Sequence, residues 1–149
     1  MASISDSVDI AASPEAVFEA VSHLEKMGQF SPENTGGTWL KGATGPSLGA
    51  QFRGTNQSGK KSWTTGVKVV TYDKPHAFAF EVTAGPAKVA LWSYEITATD
   101  SGSRVSETWL DRRGKVGAMF SKFIRTDREE FTRTSIRTTL ENLKAHLEA

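Results

Sequence analysis

The feature that most constrains this chain is a change of period along its length. Between residues 36 and 111 every second side chain repeats in character, as on one face of a strand. Trp63, Thr65, Val67 and Val69 fall on one face of "SWTTGVKVVTYD". Phe78, Phe80 and Val82 share a face of "FAFEV", and Trp92, Tyr94 and Ile96 share a face of "WSYEITA". "GTWLK" and "AQFRGTN" are shorter extended stretches, and "RVSETWLD" closes the series. Turn-forming clusters separate them: "KGATGPSLG", "QSGKK", "KP", "AGP" and "DSGS". Strands joined so closely make an antiparallel meander. Val89 and Leu91 break the parity of their strand, and a bulge near residue 90 would restore it.

From residue 114 the spacing becomes helical, with Val116, Phe120, Phe123, Phe131, Leu140, Leu143 and Leu147 mostly three or four residues apart. Thr126 to Glu129 matches a capping box, so this region is either one kinked helix or two. Before the meander, "SISDSVDI" reads as a strand with Ile4, Val8 and Ile10 on one face. "SPEAVFEAV" then reads as a helix, with Ser13 as its cap, Pro14 in its first turn and Glu15 at the positive end of its dipole. His23 to Phe30 reads as a second short helix, closed by the loop "SPENTGG".

The order is therefore strand, two short helices, about six strands and a long helical region, an α+β domain. One sheet face is markedly aromatic: Trp63, Phe78, Phe80, Trp92, Tyr94 and Trp109. A single sheet must bury such a face, and the C-terminal helix is the only long amphipathic element left to cover it. A curved sheet wrapped around one helix need not close tightly, and the gap can become a ligand cavity.

Four segments carry a family resemblance: "ASPEAVFEAVSHLEKMGQFSPE", "WTTGVKVVTYDKPHAFAFEV", "WSYEITATDSGSRVSETW" and "TLENLKAHLE". Together they resemble the START-like, or SRPBCC, superfamily with the helix-grip fold of the birch-pollen allergen. Within it they are most similar to the bacterial polyketide cyclase/dehydrase group. The likeness lies in the order and pattern of elements over nearly the whole chain. It implies one domain over residues 1–149, a curved antiparallel sheet around a long C-terminal helix, and a small hydrophobic partner, lipid or polyketide-like. The superfamily holds carriers, receptors and cyclases alike, so the fold alone does not choose among them.

Composition excludes several classes. Eighteen Lys and Arg against seventeen Asp and Glu give a net charge of +1 over 149 residues, which argues against bulk attraction to nucleic acid or anionic membrane. Arg112, Arg113, Lys115, Lys122, Arg125 and Arg128 form a local basic bias beside Asp111 and Asp127, read as a solvated helix surface ahead of an anion or membrane patch. Without cysteine there is no disulfide, thiolate nucleophile or cysteine metal site. No secretory leader or membrane-spanning run is expected, and a cytoplasmic monomer or homodimer is the default. The sequon "NQS" at 56–58 carries no meaning without a secretory route.

Glu107 is the leading polar candidate, since it alternates with Val105 and Trp109 on the inner face. Burial would raise its pKa. It then acts as a structural charge, as a ligand anchor, or as an acid that handles protons. Its structural partner would be an arginine, with Arg53 a candidate, or a tyrosine or tryptophan. Trp63, Thr65, Phe78, Phe80, Trp92, Tyr94, Glu107 and Trp109 would line a cavity from the sheet, and Phe120 and Phe123 from the helix. His23, His76 and His146 have no metal-ligand spacing, and no cofactor or metal site is expected. "GTNQSGKK" falls short of a phosphate loop, because Lys61 stands where Ser or Thr is required and a strand follows. "GKVG" at 114–117 is a weak anion site at most. The expected function is binding, or transport, of an apolar or aromatic small molecule. The alternatives are a cyclase/dehydratase-like enzyme and a protein-interaction module with a filled core.

Overall fold

The computed structural model describes residues 3–114 and 128–149. Seven antiparallel strands form one sheet: β1 (Ser3–Ile10), β2 (Asn34–Trp39), β3 (Gln51–Ser58), β4 (Lys61–Asp73), β5 (Ala77–Ala84), β6 (Ala87–Thr99) and β7 (Gly102–Asp111). Their spatial order is β1-β7-β6-β5-β4-β3-β2, so the first strand pairs with the last and β2 forms the far edge. Helix α1 (Pro14–Ser22) and a 3₁₀ helix (Leu24–Gln29) follow β1, and α2 (Arg128–Glu148) ends the chain. This is the curved sheet and C-terminal helix of the helix-grip architecture.

Local chemistry explains the elements. The Ser13 hydroxyl accepts from the Ala16 amide at 3.2 Å, capping α1 as its sequence predicts. The segment "QSGKK" is a hairpin turn: β3 ends at Ser58, Gly59 takes φ +62°, and β4 starts at Lys61. A strand follows, not a helix, so no phosphate loop forms there. β6 contains the bulge that its parity requires. Val82 pairs with Ala90, but Thr83 pairs with Lys88, leaving Val89 as the extra residue. The shift puts Ala90, Trp92, Tyr94 and Ile96 on the concave face and leaves Leu91 on the other.

The concave face is divided along the strands. At one end α1 inserts Val17, Phe18 and Val21, all fully or almost fully buried. Phe18 meets Tyr72 edge-on at 5.1 Å and Phe78 at 6.0 Å between ring centroids. Ile136, Leu140 and Leu143 of α2 pack into the same core. At the sheet edge α2 is tied to β1 and the residue after it. Arg137 binds Asp6, Lys144 donates to the Asp9 carbonyl, and Glu148 accepts from the Ala11 amide. The other end of the concave face is not filled in this way.

Among the described residues no helix is long and apolar enough to cross a membrane. Val116, Phe120, Phe123, the Thr126–Glu129 box, "GKVG" and three of the basic residues (Lys115, Lys122, Arg125) involve positions outside the described residues.

Candidate functional site

A cavity of about 300 Å³ lies where the sheet and α2 part. Cross-strand registry builds its sheet wall. Trp109, Trp92 and Phe80 stand side by side on β7, β6 and β5, and Ala90, Val82 and Val67 form the next rank. The β3–β4 hairpin adds Asn56, Trp63 and Thr65, and the turn after the 3₁₀ helix adds Ser31 and Glu33. From α2 come Phe131, Thr132, Ser135 and Thr139. The last three recur at helical spacing, so one side of α2 meets the cavity with small hydroxyl side chains.

Glu107 lines this space and is 3% exposed. It owes that position to strand alternation: Val105, Glu107 and Trp109 face inward while Ser106 and Thr108 face away. Tyr94 pairs directly with it across the β6–β7 ladder, and the Tyr94 hydroxyl donates to Glu107 Oε2 at 2.9 Å. Oε1 is buried and has no hydrogen-bond partner. Burial pushes the Glu107 carboxyl up to about 8, and the Tyr94 bond only partly opposes it. Burial and the neighbouring Glu107 also push the Tyr94 phenol well above its ordinary value. Thr132 Oγ1 is a second buried polar atom without a partner, on a residue that is 1% exposed.

Among the described residues two arginines line the cavity, and each is held by a carboxylate. Arg128 binds Glu33 in a two-pronged pair at 2.9 and 3.0 Å. Arg113 binds Asp111 through Nε at 2.9 Å and Nη2 at 2.8 Å, and its guanidinium lies 5.9 Å from the Trp109 ring centroid. Burial acts to raise Asp111, but the Arg113 bonds outweigh it and hold the carboxyl below its ordinary value.

Of the residues named from sequence, Trp63, Thr65, Phe80, Trp92, Tyr94, Glu107 and Trp109 line the cavity. Phe78 does not. It is fully buried one rank further along β5, where Phe18 of α1 takes up the space above it. Phe120 and Phe123 lie outside the described residues. Arg53 is not the partner of Glu107. It alternates with buried Phe52 and Gly54 and is exposed on the opposite face. His76 is exposed, and His23 and His146 lie away from the cavity wall. Among the described residues no cluster of three or more His, Asp or Glu could hold a metal.

Hydrophobic spacing gave no sign of Thr132, Ser135 and Thr139, because they are polar. Their shared face on one helix was the available signal. The Glu33–Arg128 pair joins residues 95 apart, and no local pattern announces it.

Residues 1–148 match the sequence model of a family described as polyketide cyclase/dehydrase and lipid transport. The chain is similar to the solved structure of a polyketide-cyclase-like protein from Corynebacterium glutamicum, at 28% identity and TM-score 0.64, over 98% of this chain and 91% of that one. It is also similar to the di-domain ARO/CYC protein BexL, at 20% identity and TM-score 0.71, over 99% of this chain and 50% of that one. A third likeness is to the Aha1 dimer of Colwellia psychrerythraea, at 14% identity and TM-score 0.69, over 99% and 97%. The last two show a shared fold alone. No curated protein matches the sequence.

Proposed function

The chain belongs to the polyketide cyclase/dehydrase and lipid transport family, and from that premise we propose that it binds an apolar or aromatic small molecule between the sheet and α2. One observation carries the reading. A cavity of about 300 Å³, walled by aromatic rings, contains a buried carboxyl with one oxygen unpartnered. Such a space suits a small ligand with an apolar body and a polar group for Glu107. Burying ligand surface contributes roughly 25 cal/mol per Å² before association costs, so this cavity supports useful affinity without any chemical step. On this reading the protein works in the cytoplasm, as a monomer or homodimer, on a lipid or polyketide-like molecule.

An enzymatic reading draws on one further feature. Glu107, with its pKa pushed up to about 8, keeps its proton near neutrality and could donate it to a ligand carbonyl. Cavity shape would then fold the substrate, as in a cyclase or dehydratase. Unchanged turnover in Glu107→Gln would rule this out. The filled-core interaction module is disfavoured by the cavity itself.

The binding reading is tested by native mass spectrometry of the purified protein with gentle desolvation. A small molecule released from wild type and lost in Ala90→Phe, which fills the cavity from its wall, supports it. A bound molecule that persists in Ala90→Phe places binding elsewhere and defeats it.

A further inference from the structure

The polar groups of the cavity are unequal in a way that bears on ligand charge. Among the described residues its guanidinium groups are each occupied by a carboxylate of the chain, Arg128 by Glu33 and Arg113 by Asp111. No lysine lines the cavity among the described residues. Among the described residues, an anionic ligand would therefore lose its water without meeting an unpaired cation. Of the buried polar atoms left without partners among the described residues, two belong to cavity-lining side chains: Glu107 Oε1 and Thr132 Oγ1. A hydroxyl donates freely, and a protonated carboxyl donates through whichever oxygen holds the proton. Tyr94 already donates to Oε2, which leaves Oε1 as the oxygen free to carry a proton toward a ligand.

We propose that this cavity selects uncharged ligands bearing an acceptor oxygen, such as a ketone carbonyl, and rejects carboxylates of the same shape. The proposal rests on the reading of the cavity as a ligand site and names the chemical class it takes. Glu107 donates to the ligand oxygen while Thr132 offers a second donor from α2. Recognition of this kind depends on a proton. Among the described residues the titratable and charged groups facing Glu107 are Tyr94 on β6 and Asp6 on β1, with Asp6 held by Arg137 of α2. Glu33, Arg128 and Arg113 belong to the cavity lining and are paired as described. Burial keeps Glu107 protonated up to about pH 8, so ketone affinity stays level below that point and falls above it.

The test is isothermal titration calorimetry with three probes of one shape: naphthalene, a naphthyl methyl ketone and the matching naphthoate. At about pH 7 the naphthoate is ionised, and the ketone is expected to bind wild type about tenfold more tightly or better. Raising the pH beyond the Glu107 titration should weaken the ketone and leave naphthalene nearly unchanged. Glu107→Gln, which keeps a donor and cannot ionise, should retain ketone affinity at the higher pH. Thr132→Val, close to isosteric, should weaken the ketone by a smaller factor without altering naphthalene. Naphthoate binding as tightly as the ketone overturns the proposal, and so does ketone affinity that ignores pH in wild type. If naphthalene binds and the ketone gains nothing over naphthoate, the preference fails and the cavity reading stands. If none of the three binds, the cavity reading fails and the preference with it.

Discussion

Asp6 and Glu107 sit opposite each other across the β1–β7 ladder, and their surroundings drive them in opposite directions. Asp6 lies at the sheet edge, where Arg137 of α2 reaches it at 2.8 Å from Nε and holds its carboxyl below its ordinary value. Glu107 lies one strand further in, buried with Tyr94 as partner to one oxygen only, and its carboxyl is pushed up to about 8. The backbone treats the two alike, since each is one residue of one antiparallel pair. The difference comes from what covers them. Over β1 the helix presents a cation, whereas beside the inner strands it presents Thr132, Ser135 and Thr139 and leaves a cavity. One edge of the grip is thus a clasp, and the interior is a container.

The largest expected effect concerns the interior acid. The unfolded chain releases the Glu107 proton near 4.5, while the native chain keeps it to about 8. Native protein therefore binds the extra proton in that window, and unfolding free energy falls as pH rises through it. The contribution is on the order of a few kcal/mol. Urea unfolding at a series of pH values should show this fall in wild type, and Glu107→Gln should flatten it. An equally steep fall in Glu107→Gln would assign the slope to other groups.

Tyr94→Phe removes the hydrogen bond to Glu107 Oε2. Leaving a buried carboxyl without that donor should cost about 1–3 kcal/mol, read from the urea midpoint at constant slope. The Glu107 carboxyl should move further up, because the Tyr94 bond is the influence that lowers it. A midpoint equal to wild type would mean that the hydroxyl contributes nothing.

Asp6→Asn should have the smallest effect and the opposite pH profile. A carboxyl with depressed pKa contributes stability above its unfolded value of 3.8, and this is lost as pH falls through the folded value. The variant should be slightly less stable than wild type at neutral pH and equal to it in strong acid, as acid titration of the folded signal can show. Solvent screens this half-exposed pair, so the change should be smaller than for Tyr94→Phe. A loss larger than that of Tyr94→Phe would invert the comparison.

The contrast also separates what could be read locally from what could not. Alternation through Val105, Glu107 and Trp109 placed the acid inward, because strand geometry needs no knowledge of the partner strand. The Ser13 cap and the hairpin at Gly59 are local in the same sense. Tyr94 as the acid's partner is a matter of register, and register depends on two strands at once. Phe78 shared a face with Phe80 as expected, yet its position along β5 puts it beneath Phe18 and outside the cavity. Alternation gives a side chain its face but not its depth beneath a helix. The hydroxyl face of α2 escaped because hydrophobic spacing registers only apolar residues. The break in parity at Val89 did show, and the bulge at that residue accounts for it.

The most direct test of a proton-holding carboxyl inside a ligand cavity is the ¹³C titration of the Glu107 side-chain carboxyl by NMR, with and without saturating naphthyl methyl ketone. A midpoint near 8 is expected in the free protein, shifted upward when the ketone is bound, because the ligand favours the protonated form. A midpoint near the ordinary 4.5, unmoved by the ketone, would contradict it.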